Sequence, residues 1–138
     1  MAMRLNPYLG FRDNAREAMR FYHSVFGGEL QIKTLAELRP DADPADADRV
    51  VHALLVTPDG FTLMASDSPN PDSYQPPRGI SISLSGEDEE RLRGFWERLS
   101  EGGEVETPLG EVPWGATFGI CVDRFGIRWL VNIEAPAG

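Results

Sequence analysis

Few side chains in this sequence can do chemistry beyond packing. The histidines are His23 and His52, and the single cysteine is Cys121. A hairpin turning over Asp59-Gly60 sets Thr57 opposite Thr62, Leu55 opposite Met64 and His52 opposite Asp67. An imidazole held against a carboxylate gains proton affinity, and it serves either as a structural hydrogen bond or as an acid–base pair touching a ligand. The His52–Asp67 pair is read here as structural. Cys121 has no basic residue or helix start beside it in sequence to lower its pKa, so it reads as a neutral thiol in a wall rather than a nucleophile. A lone cysteine also excludes an intrachain disulfide and a Cys-rich zinc site.

The stretch that organises these groups is WGATFGICVDRFGIRWLVN, from Trp114 to Asn132. Two apolar-rich runs, 116–122 and 127–133, flank Asp123-Arg124-Phe125-Gly126, whose glycine can take the positive φ that closes a β-hairpin. Alternation then assigns Phe118, Ile120, Val122, Ile127, Trp129, Val131 and Ile133 to a face that a helix would bury. The other face would carry Thr117, Gly119, Cys121, Arg128, Leu130 and Asn132, a mixture suited to lining a cavity. Asn6, Tyr8, Ser81 and Ser83 share that cavity-facing parity. Buried amides and hydroxyls require partners, either a bound molecule or ordered water. Trp114 follows Pro113 at the start of a strand, where an aromatic ring either closes a cavity mouth or simply packs.

The elements that must position these residues follow from periodicity. Residues 4–11 alternate as a first strand, with Pro7 near its start or at a sheet edge. Asn14 and Glu17 stand at capping-box spacing, and Ala18, Tyr22, Val25 and Phe26 recur at helical spacing up to Gly27-Gly28. Residues 29–35 form a strand. Residues 36–48, with Pro40, Pro44 and an aspartate series from Asp41 to Asp48, form a loop that lacks the glycine and terminal glutamate of a calcium-binding EF-hand. A hairpin of 49–57 and 61–66 follows, then a Pro-rich linker over 68–78.

The second half repeats this order. Residues 79–85 form a strand, 87–101 a helix with Leu92, Phe95, Trp96 and Leu99 on its stripe, and 104–109 a strand before the hairpin. Phe21-Tyr22 precedes Phe95-Trp96 by 74 residues, and Gly27-Gly28-Glu29-Leu30 precedes Gly102-Gly103-Glu104-Val105 by 75. Two βαβββ modules, 1–67 and 79–134, within a single domain of 1–138 are the simplest account, with the halves packed together or exchanged between subunits.

Composition bounds the partners. A net charge of -9 with scattered basic residues repels a phosphate backbone, so no nucleic acid is expected. No run approaches the roughly 18 apolar residues of a membrane span, and the start lacks the basic and apolar regions of a signal peptide, so no membrane association and a cytoplasmic location are expected.

The sequence resembles the vicinal oxygen chelate superfamily of glyoxalases, extradiol dioxygenases and bleomycin-resistance proteins, and within it the PhnB-like branch. The resemblance runs from Asn6-Pro7-Tyr8 through Asn14-Ala15-Arg16-Glu17-Ala18, Phe26-Gly27-Gly28-Glu29-Leu30, His52-Ala53 and Leu63-Met64-Ala65-Ser66-Asp67. It is most specific at Trp114-Gly115, Phe118-Gly119, Asp123, Phe125-Gly126, Trp129 and Asn132. It implies an α+β fold of two βαβββ modules whose curved mixed sheets enclose a cavity, usually in a homodimer. In metal-using members the ligands lie on the first and last strands of each module, and here the matching positions hold Asn6, Met64, Ser81 and Leu130. Zinc, iron, nickel or manganese requires imidazole, carboxylate or thiolate, so this set implies no metal and no cofactor.

The resulting expectation is a binding protein for a small organic molecule, with Asn6, Tyr8, Met64, Ser81, Ser83, Trp114, Cys121, Leu130 and Asn132 at the ligand and no catalytic residue assigned. The alternative is a metal-dependent lyase or dioxygenase-type enzyme with ligands drawn from His52, Asp67 or Asn6. PhnB-like sequences also resemble proteins labelled as demethylubiquinone methyltransferases, but no Gly-rich strand-to-helix turn of nucleotide-binding type is present for S-adenosylmethionine.

Overall fold

Three short turns fix the registers of this protein. In each, one residue donates its backbone N–H to the carbonyl of the residue four further on, and a glycine with positive φ ends the three-residue loop between them. Thr57 and Phe61 enclose Pro58-Asp59-Gly60, Val112 and Ala116 enclose Pro113-Trp114-Gly115, and Asp123 and Ile127 enclose Arg124-Phe125-Gly126. The glycine φ values are 86°, 89° and 90°. This is the three-residue hairpin loop that ends in a left-handed residue, a conformation in which glycine escapes the Cβ penalty.

A computed structural model describes residues 3–135. The chain divides into two compact units, one up to Pro76 and one from Pro77. The expected domain span of 1–138 takes in ends that lie outside the described residues.

In the first unit, β1 (Tyr8–Phe11), α1 (Ala15–Phe26), β2 (Glu29–Thr34), the single-turn α2 (Leu35–Leu38), β3 (Val50–Val56) and β4 (Thr62–Asp67) follow in order. The sheet order is β1-β4-β3-β2, with β1 parallel to β4 and the other pairs antiparallel. The α1 stripe of Ala15, Ala18, Met19, Tyr22, Val25 and Phe26 is buried, as are Phe11, Ala53, Leu55, Leu63 and Ala65 on the sheet. Burying one stripe of helix against one face of sheet removes apolar surface from water at about 25 cal/mol per Å².

Asn14 occupies the N-cap position but makes no side-chain capping bond. The capping-box expectation is corrected: the Asp67 carboxylate does that work from the end of β4. Its Oδ1 accepts the Ala15 N–H and its Oδ2 accepts the Val50 N–H, each at 2.9 Å. The helix ends at Gly27, and Gly28 then passes so close to the Val56 carbonyl that a Cβ could not be accommodated.

In the second unit, β5 (Ile82–Gly86), α3 (Glu89–Ser100), β6 (Glu104–Glu111), β7 (Thr117–Val122) and β8 (Arg128–Ile133) repeat the pattern, with sheet order β5-β8-β7-β6 and β5 parallel to β8. Asp88 caps α3 through the Arg91 N–H at 3.2 Å. Leu92, Phe95 and Leu99 of α3 are buried, as are Leu84, Cys121, Trp129, Val131 and Ile133. Each unit is therefore a βαβββ module, and the α+β class of two four-stranded mixed sheets with helices stands as expected. The segment expected as a linker contains one 3-10 turn, Pro71–Ser73.

Candidate functional site

Each sheet has one face covered by its helix and one opposite face, open with respect to that helix. The candidate residues sort by which face the register gives them, because cross-strand partners share a face.

On the open face of the first sheet, the register lines up Tyr8 with Met64, Met64 with Leu54, and Leu54 with Gln31. The Asn6 amide points at the Met64 sulfur, Nδ2 to Sδ being 4.0 Å. The Tyr8 hydroxyl lies 3.4 Å from His52 Nδ1, and the two rings are 5.9 Å apart between centroids. Asn6, Tyr8 and Met64 are thus neighbours on one surface.

The expected His52–Asp67 pair does not form. The β3–β4 register is Ala53 to Ala65, Leu54 to Met64, Leu55 to Leu63 and Val56 to Thr62, one residue away from that read from sequence. The cause is the loop: three residues between Thr57 and Phe61, where a two-residue turn over Asp59-Gly60 was expected. A one-residue slip moves a side chain to the other face. Asp67 shares the buried face with Leu63 and Ala65 and spends both oxygens on backbone N–H groups, while His52 stands on the open face with Tyr8.

The same arithmetic corrects the second hairpin. Cys121 pairs with Trp129 and Gly119 with Val131, whereas Ile120 pairs with Leu130 and Phe118 with Asn132. Cys121 therefore lies on the helix face, fully buried, and not in a cavity wall. Desolvation, followed by the negative charges of Asp123 and Glu106, pushes its thiol up to about 11, which leaves it a protonated, unreactive core group. Gly119 lies under the α3 indole, since a Cβ there would stand 2.8 Å from Trp96 Cη2. The residues that β7 presents on the open face are Phe118, Ile120 and Val122, the set expected beneath the helix.

Ser83 pairs with Leu130 on this open face, as Ser85 does with Asn132. Ser81 precedes β5, and its hydroxyl accepts a 2.7 Å hydrogen bond from Arg128 Nη1. Arg128 also donates from Nε to Glu106 at 2.9 Å. Sequence reasoning gave Arg128 no role, although its parity with Leu130 and Asn132 was readable. Trp114 is the middle residue of the loop between β6 and β7 and is 72% exposed.

Asp123, assigned to a turn from sequence, is buried. Its Oδ1 accepts the N–H groups of Phe125 at 2.8 Å and Ile127 at 3.1 Å, and its Oδ2 accepts Trp129 Nε1 at 2.9 Å. This carboxylate sets both the loop and the indole of the core. Among the described residues no three His, Cys, Asp or Glu side chains are grouped so as to hold a metal ion.

The model of the Glyoxalase/Bleomycin resistance protein/Dioxygenase superfamily matches residues 4–131. This chain belongs to that superfamily. It is 39% identical to protein PA1353 from Pseudomonas aeruginosa, whose crystal structure superimposes with a TM-score of 0.84 over 96% of this chain and 98% of that one. A PhnB protein from Bacillus cereus is 26% identical, with a TM-score of 0.76 over 96% of this chain and all of that one. Among curated proteins, YjdN of Escherichia coli (strain K12) is 28% identical over 141 residues, covering 95% of each chain. The superfamily recognised from Asn6 to Asn132 is thus the one to which the chain belongs, with PhnB among its structural neighbours.

Proposed function

We propose that this protein is a metal-independent member of the superfamily that binds a small organic molecule on the open faces of its sheets. The observation that carries this reading is the chemistry at the four inherited ligand positions. In the first unit the Asn6 amide is directed at the Met64 thioether, and neither group is a strong donor to zinc, iron or manganese. In the second unit Leu130 offers only hydrocarbon, and the Ser81 oxygen accepts from the Arg128 guanidinium, a fixed positive charge that disfavours a cation beside it. These residues do not fit the metal that the fold family implies.

For the alternative of an enzyme with ligands drawn from His52, Asp67 or Asn6, Asp67 is the weakest member, because both its oxygens hold backbone N–H groups on the helix face while His52 and Asn6 lie on the other. The open faces instead offer half-buried apolar surface beside polar groups, the combination that holds small ligands. Metal analysis of protein purified without chelator and then dialysed tests this reading. Substoichiometric zinc, iron, nickel and manganese are expected. One tightly held ion per chain, lost together with Asn6→Ala or Ser81→Ala, overturns it.

A further inference from the structure

The open face of the first sheet carries a second pattern, one rung beyond the Tyr8–Met64–Leu54–Gln31 row. There Gly10 pairs with Ser66, and His52 with Lys33. Lys33 is exposed and makes no ion pair among the described residues. Among the described strand residues of this face the one carboxylate is Glu29, four positions along β2 from Lys33 and so about 13 Å away. In a chain of net charge -9, this rung is a local reversal of sign.

The Tyr8 hydroxyl, 3.4 Å from His52 Nδ1, fixes the orientation of the imidazole. When Tyr8 donates to Nδ1, the ring hydrogen sits on Nε2, which becomes a second donor beside the Lys33 ammonium. Space is available at the β1 end of the rung, where a Cβ on Gly10 would meet nothing within 4 Å. On the neighbouring rung Leu54 and Met64 are half-buried and apolar.

We infer that this face takes a small molecule with a carboxylate head and an apolar body. The head is received by Lys33, His52 Nε2 and the Ser66 hydroxyl, and the body lies on Leu54 and Met64. Tyr8 is a positioning residue that holds the imidazole. The inference rests on the small-molecule reading above and gives it a substrate class: a carboxylate draws charge-assisted hydrogen bonds from this set, whereas a neutral isostere does not.

A lysine on an edge strand also guards against strand pairing, so the test must read the groups jointly. Isotope-labelled full-length protein is titrated with benzoate and, separately, with benzamide, and its resonances are followed by NMR. Benzoate is expected to move the His52 ring and the Lys33 and Ser66 amide signals saturably, and to bind roughly tenfold more tightly than benzamide. Lys33→Gln should abolish that preference while leaving signals outside this face in place. Tyr8→Phe should weaken benzoate binding and alter the His52 tautomer signature in the ring 15N shifts. Equal binding of the two probes on this face overturns the carboxylate selectivity and leaves the small-molecule reading standing. Absence of any shift on this face up to the solubility limit of benzoate overturns the inference, and if a neutral fragment mixture also moves no open-face signal of either sheet, the broader reading falls with it.

Discussion

Asp67 shows how much a single carboxylate can hold. With both oxygens on backbone N–H groups, it anchors the first turn of α1 and the start of β3 at once. Asp67→Asn keeps the shape but replaces one acceptor with a donor, leaving a buried N–H without a partner. We expect a loss of about 2–3 kcal/mol, read as a lower urea midpoint with unchanged slope. Cys121 gives a prediction of opposite kind. Its pKa is raised from 9.0 to about 11, so the unfolded chain loses the thiol proton first as pH rises. The stability held by the neutral thiol is complete below pH 9.0 and is lost as pH climbs through about 11. The loss approaches about 3 kcal/mol. In denaturation at about pH 8, about 9.5 and about 11, the stability of the wild type relative to Cys121→Ala should be highest at the lowest pH and fall progressively at the other two. The native thiol should resist a disulfide reagent near neutral pH until the protein unfolds.

At the scale of elements, the loops decide. Gly28 has φ 96° and no room for a Cβ against the Val56 carbonyl, whereas Gly60 has φ 86° and nothing within 4 Å. Gly60→Ala should therefore cost only the left-handed strain, about 1 kcal/mol, and Gly28→Ala about 3 kcal/mol because the β3 backbone must also move. Thermal melts of the two variants measure the difference. The same loops explain what could be read from sequence. The strands, the two long helices and the repeated βαβββ order were legible because apolar periodicity and Gly-Gly stops announce them. The face assignments of β7 and the partner of His52 were not, because they depend on whether a loop holds an odd or an even number of residues. Asp123 looks like a turn residue, yet it pairs with Ile127 and adds one pair to its ladder, whereas Pro58, expected opposite Phe61, falls inside the loop that Thr57 and Phe61 close. The extra pair in the second hairpin put Cys121 into the core, and the longer loop in the first moved His52 away from Asp67. Arg128 was visible as a charged residue between apolar ones, but its bonds to Ser81 and Glu106 join segments far apart in sequence.

At the scale of the whole molecule, two units of one topology carry different chemistry on their open faces. The first offers Lys33, His52 and Tyr8; the second ties the open-face Arg128 to Glu106 and Ser81. Large apolar side chains stand exposed just before the first strand of each unit, Leu5 at 97% and Ile80 at 74%. We propose that a second copy covers them in a homodimer, and light scattering coupled to gel filtration should give twice the 15.3 kDa of the chain. Polar replacements at Leu5 and Ile80 are expected to yield the single-chain mass without lowering the melting temperature by more than a few degrees.

The parallel pairing of β1 with β4 has a bearing on how the protein is made. β1 is synthesised before its neighbour and finds it only when Thr62–Asp67 has emerged, and the carboxylate that caps α1 is the last residue of β4. Translation arrested a few codons earlier would present a helix without its cap and a sheet lacking its closing partner. Asp67 is thus the residue with which both the helix cap and the β1–β4 pairing of this unit are completed.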